Sequence, residues 1–78
     1  MFVDELTETL VSVGPATLRN DIDGNFHVLW IGPVNISKMR ACMKIAALEA
    51  EHAETTVEQD WWERLYIGIQ EKLDALTN

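Results

Sequence analysis

Two short stretches carry side chains of the kinds that ligate metals. Asp21-Ile22-Asp23-Gly24-Asn25 alternates oxygen-bearing residues as the start of a calcium loop does, but an EF-hand loop needs Gly at its sixth position and Glu at its twelfth. Here Gly is the fourth residue and Gly32 stands twelfth. A tight turn accounts for the same residues. Glu49-Ala50-Glu51-His52 contains Glu-x-x-His, the helical half-site of di-iron carboxylate proteins, which requires a second copy and two further Glu on facing helices. The chain holds no second copy, and His52 suits a helix end, where the dipole is negative. His27 reads as a strand residue hydrogen-bonded opposite Asn20. Cys42, among Met39, Met43 and Ala46, reads as a small buried hydrophobe with an unactivated thiol. Ser12 and Ser37 have no nearby histidine, and no Gly-rich loop is present to hold phosphate. Neither catalysis nor a metal or cofactor is expected.

What remains is charge. Thirteen acidic residues against six basic ones give a net charge of −7 over 78 residues. Such a surface repels nucleic acid and membranes and attracts basic proteins. The acids are not evenly spread. Between Lys44 and Arg64 every charged residue is acidic: Glu49, Glu51, Glu54, Glu58, Asp60 and Glu63. Asp60, Glu63, Glu71 and Asp74, with Ile67 among them, fall on one side of a helix as a line of carboxylates about 21 Å long. A solvated face explains such a line in many proteins, but a branched apolar residue in its middle suits a contact point.

The elements that must position these residues follow from periodicity. Phe2, Leu6, Leu10 and Val13 are spaced by four, four and three, which predicts a helix over 2–13 stopped by Gly14-Pro15. The β-branched alternation from Thr9 to Val13 fits a strand as the alternative. Residues 16–31 read as a hairpin, because Asp23-Gly24 suits a two-residue primed turn. That turn pairs Ile22 with Asn25, Leu18 with Leu29 and Thr17 with Trp30. Ala16, Leu18, Leu29 and Ile31 then share one face, while Phe26, Val28 and Trp30 share the other with Thr17, Arg19 and Asp21. Both faces need cover, which a lone hairpin lacks.

From Ser37 to Glu54 a helix follows, with Asn35 or Ser37 as its N-cap. Met39, Cys42, Met43, Ala46, Ala50 and Ala53 lie on one side and Ala41, Ile45 and Leu48 on another, which predicts a central helix packed on both sides. Its charges run against its dipole, with Lys38, Arg40 and Lys44 near the start and Glu49, Glu51 and Glu54 near the end. Each misplaced exposed charge costs roughly 0.3–1 kcal/mol. Thr55-Thr56-Val57-Glu58 is a capping box, so a last helix starts there. Its apolar stripe is Trp61, Trp62, Leu65, Ile69, Leu73 and Leu76. The two indoles flank the core, with one of them a possible interface anchor.

The expected fold is α+β, one small domain over 1–78: helix, hairpin, then two antiparallel helices on the hairpin. A lone Cys42, a start without a basic or long apolar segment and the absence of any run of about 18 apolar residues predict a soluble protein of a reducing cytoplasm. In size, acidity and element order the chain is similar to small phage-encoded inhibitors, including anti-CRISPR and anti-restriction proteins that imitate DNA. This is a likeness of class, with no shared motif and no residues carried over. It implies a protein partner with a basic, nucleic-acid-binding surface, met by Glu51, Glu54, Glu58, Asp60, Glu63, Ile67, Glu71 and Asp74. An acidic immunity or antitoxin protein is a related reading. A structural subunit is another: a homodimer through Met39 and Met43 or through Phe26 and Trp30, in which the reversed helix charges meet their opposites on a second copy.

Overall fold

The computed structural model describes residues 8–77. Three strands, β1 (Glu8–Val13), β2 (Ala16–Asn20) and β3 (Phe26–Trp30), are followed by two helices, α1 (Ile36–Glu51) and α2 (Thr56–Thr77). The strands form an antiparallel sheet in the order β1-β2-β3. Helix α2 lies across all three strands, and α1 packs on α2 and against β1. The short turn at 52–55 makes the helices antiparallel. The architecture is α+β.

Two local features differ from the sequence expectation, and both come from turn chemistry. Residues 8–13 are a strand, the alternative reading, and not the end of a helix; residues 2–7 of the expected helix lie outside the described residues. Val13 pairs with Ala16, so Gly14-Pro15 is the two-residue turn of a hairpin, with Gly14 at φ 54°. A primed turn requires such a positive φ at its first central residue. The register shifts between Thr9 and Val11. This bulge lets the sequence neighbours Leu10 and Val11 both pack against the core.

The second difference is one residue in size and large in effect. The β2–β3 loop is not a two-residue turn at Asp23-Gly24. The Asp21 N–H donates to the Asn25 carbonyl at 2.9 Å and the Gly24 N–H to the Asp21 carbonyl at 3.0 Å, with Gly24 at φ 82°. That is a three-residue loop closed by a left-handed glycine. Leu18 therefore pairs with Val28, Thr17 with Leu29 and Arg19 with His27. A slip of one residue exchanges the two faces of a strand. Phe26, Val28 and Trp30 join Ala16 and Leu18 on the face toward the core, and Leu29 and His27 turn to solvent. The sheet thus needs one covering layer, which the helices supply.

The helix start signals are present as read, while α1 ends at Glu51, capped by His52, and not at Glu54. Asn35 caps α1, its side chain accepting the Lys38 N–H at 2.8 Å. Thr55 caps α2, its hydroxyl oxygen accepting the Glu58 N–H at 3.1 Å. Met39 and Cys42 of α1 meet Leu65, Ile69 and Leu73 of α2 beneath Ala16 and Leu18, and Ala46 of α1 is buried as well. Trp61 and Trp62 flank this core, half-buried. The α2 stripe ends at Leu73, because Leu76 is exposed. Helix α1 is packed on one side only: Ala41, Ile45 and Leu48, expected under a second layer, face solvent. Helix α2 comes close to the sheet at Gly68, where a Cβ would stand 2.2 Å from Val28 Cγ2. Only glycine fits there.

Candidate functional site

On a helix turning about 100° per residue, Asp60, Glu63, Ile67, Glu71 and Asp74 lie opposite the buried row Leu65, Ile69 and Leu73. All five are exposed, Ile67 by 51% of its surface. The expected line of carboxylates is therefore assembled on the outer face of α2. One member is partly neutralised: Arg64 Nε–H donates to Asp60 Oδ2 at 2.7 Å in an i, i+4 pair. Both partners are about half exposed, so the pair adds little to stability. Its effect is on charge, leaving Glu63, Glu71 and Asp74 as the unpaired carboxylates, spread over about 17 Å.

Ile67 stands between two hollows. On its sheet side a groove of about 750 Å³ runs between β3 and α2, with Phe26, Val28, Trp30, Arg64 and Glu71 in its walls. On its other side a hollow of about 370 Å³ lies between the helices, bordered by Ala47, Ala50, Gln59, Glu63 and Tyr66. The exposed isoleucine is thus a ridge, with a carboxylate at each flank. Arg64 belongs to this surface as well, its guanidinium carbon 4.3 Å from the Phe26 ring centroid. Sequence reasoning missed Arg64. The i, i+4 spacing from Asp60 was the available signal, whereas the Phe26 contact depends on the tertiary fold.

The remaining predicted residues divide. Glu51 borders the interhelical hollow, and Glu54 is exposed in the turn. Glu58 lies apart from the line: it is half-buried in the first turn of α2, on the side of Leu65, where an acidic residue suits the helix N-terminus. The residues expected at a dimer interface do not form an open surface. Met39 is 0% exposed, consumed by the core of its own chain. Met43, Phe26 and Trp30 are half-buried against that core, the last two because the strand register turns them inward.

Asp21, His27, Cys42 and His52, first considered for their chemistry, have structural partners. Asp21 Oδ1 accepts the Asp23 and Asn25 N–H groups, each at 2.9 Å, and Oδ2 lies 2.6 Å from His27 Nε2. His27 therefore bonds Asp21 and sits opposite Arg19, not Asn20 as its sequence position suggested. The His27 hydrogen bond, followed by that from Asn25, holds the Asp21 carboxyl below its ordinary value. The Cys42 thiol is buried and donates to the Val13 carbonyl at 3.6 Å. His52 is the C-cap of α1 through its backbone N–H, 3.1 Å from the Leu48 carbonyl. Among the described residues no three His, Cys, Asp or Glu side chains converge on a metal-sized site, and no helix is long and apolar enough to cross a membrane.

Comparison with protein-family models, with curated proteins and with solved structures finds no match for this chain.

Proposed function

We propose that the protein is a non-enzymatic binding module that sets the outer face of α2 against a basic surface of a partner protein and so blocks a nucleic-acid-binding site there. The observation that carries this reading is the exposed ridge of Ile67 between Glu63 and Glu71, with Asp74 beyond. An apolar contact within a line of carboxylates combines two terms of a protein interface. The carboxylates steer a cationic partner and set orientation, while the desolvated apolar residue slows dissociation. The carboxylates sit on a helix fixed along its opposite side by the core, so they are presented without an ordering cost at binding.

The test uses the chain immobilised in lysate of its source cell. A protein retained by wild type and by E8Q/D23N, but lost with E63Q/E71Q, is the expected result, and it should release nucleic acid on binding. The two variants change net charge equally and differ only in where. Equal retention by E63Q/E71Q, or a retained protein indifferent to nucleic acid, would overturn the reading.

A further inference from the structure

The outward side of α1 poses a problem that the acidic face of α2 does not solve. Ala41, Ile45 and Leu48 form an exposed row at i, i+4 and i+7, with Ile45 46% and Leu48 52% exposed. The charges around the row are segregated by end. Lys38, Arg40 and Lys44 lie toward the N-terminus and Glu49 and Glu51 toward the C-terminus, with no acid in the first turn and no base in the last. Among the described residues the ion pairs are His27–Asp21 and Arg64–Asp60, so none of these five charges is answered by another described residue. An arrangement that opposes the helix dipole and finds no partner among the described residues does not favour the helix that carries it.

We propose that this face is an interface between two copies of the chain, with α1 packed antiparallel on α1 about a two-fold axis near Lys44 and Ile45. A two-fold contact must be self-complementary, and this face is. At about 100° per residue, Lys38 and Glu49 flank the apolar row on one side, and Arg40, Lys44 and Glu51 flank it on the other. The two-fold keeps like flanks together while reversing direction, which also brings the two Lys44 side chains side by side near the axis, where their long stems splay toward solvent. Lys38 then meets Glu49 of the second copy, Arg40 meets Glu51 of the second copy, and Leu48 seats on the small Ala41 of the second copy. A parallel pairing would set cation against cation. The expected interface of Met39, Met43, Phe26 and Trp30 is not involved, and the Glu63–Asp74 face of α2 stays outside the contact. The proposal does not rest on the inhibitor reading, and either can fail alone.

Sedimentation of the full chain from 5 to 500 µM tests it. The wild type is expected to pass from monomer to dimer over that range, and I45D/L48D to remain monomeric while keeping its helical circular dichroism. The decisive arm uses charge exchange. K38E/R40E alone and E49K/E51K alone should each be monomeric, and their equimolar mixture should form a one-to-one heterodimer, since the crossed pairs 38–49 and 40–51 are then all attractive. A wild type monomeric at 500 µM would overturn the proposal, as would a dimer that survives I45D/L48D. A monomer that instead holds a different protein through Ile45 and Leu48 would assign the face to that partner and equally overturn the second copy.

Discussion

Single residues decide whether this small sheet and helix layer fit together. Gly68 is the clearest case, because its missing side chain is what lets α2 approach Val28. Ala in an exposed helix interior gains up to about 1 kcal/mol over Gly, but the overpacking against Val28 costs about 1–3 kcal/mol. Gly68→Ala is expected to be net destabilising in urea denaturation, and Val28→Ala in the same chain to return part of the loss. A stabilised G68A would show that the helix and sheet are farther apart than described. Asp21 gives a second test at this scale. Its carboxyl titrates below its unfolded value, so its ionised form adds stability above the ordinary carboxyl range near 3.8, and the contribution is lost as pH falls through the folded value. Asp21→Asn keeps an oxygen for the loop N–H groups and removes the charge. The gap in melting temperature between wild type and D21N should be widest above pH 5 and close toward pH 2. A gap independent of pH would assign the loss to geometry and not to ionisation.

At the scale of elements, most of the fold was legible where a local signal had a single meaning. Asn35 and the Thr55–Glu58 capping box start the helices, as their side-chain chemistry requires. Gly14-Pro15 had two meanings. It can end a helix or turn a hairpin, and the choice depends on whether Leu10, Val11 and Val13 are taken up along a helix face or against a sheet. Asp23-Gly24 was equally ambiguous, since it serves two-residue and three-residue loops, and the extra residue exchanged the faces of β3. The decisive signal was apolar content: Phe26, Val28 and Trp30 are together more apolar than Leu29 and Ile31, and the register follows the larger burial. The outer line on α2 was legible because charges spaced by three, eight and three share a helix face. Its partial neutralisation by Arg64 had a signal in the i, i+4 spacing from Asp60, whereas the seat of Arg64 on the ring of Phe26 depends on the tertiary fold. Two predictions belong here. Thr55→Ala should cost about 1 kcal/mol through loss of the α2 cap. Lys38→Glu, by placing an acid in the first turn of α1, should stabilise the dilute chain by about 0.3–1 kcal/mol at low salt. Thermal unfolding at low micromolar concentration reads both. A destabilised K38E there would mean that Lys38 has a stabilising role inside one chain.

The whole molecule is a small anionic body with two distinct outward faces. One, on α1, is segregated into cationic and anionic ends around an apolar row; the other, on α2, carries carboxylates around Ile67. A fold held by a core this small has little surplus stability, and a charge arrangement that lowers it is what the two-copy proposal accounts for. The two faces point to two kinds of contact, a second copy and a basic partner. The account's central claim, that the molecule acts by docking a preformed acidic face, is tested most directly by the salt dependence of affinity for the captured partner. Log Kd against log salt concentration should be steep for wild type and for E8Q/D23N and distinctly shallower for E63Q/E71Q, which should also bind more weakly. Identical slopes and affinities for all three proteins would contradict the account.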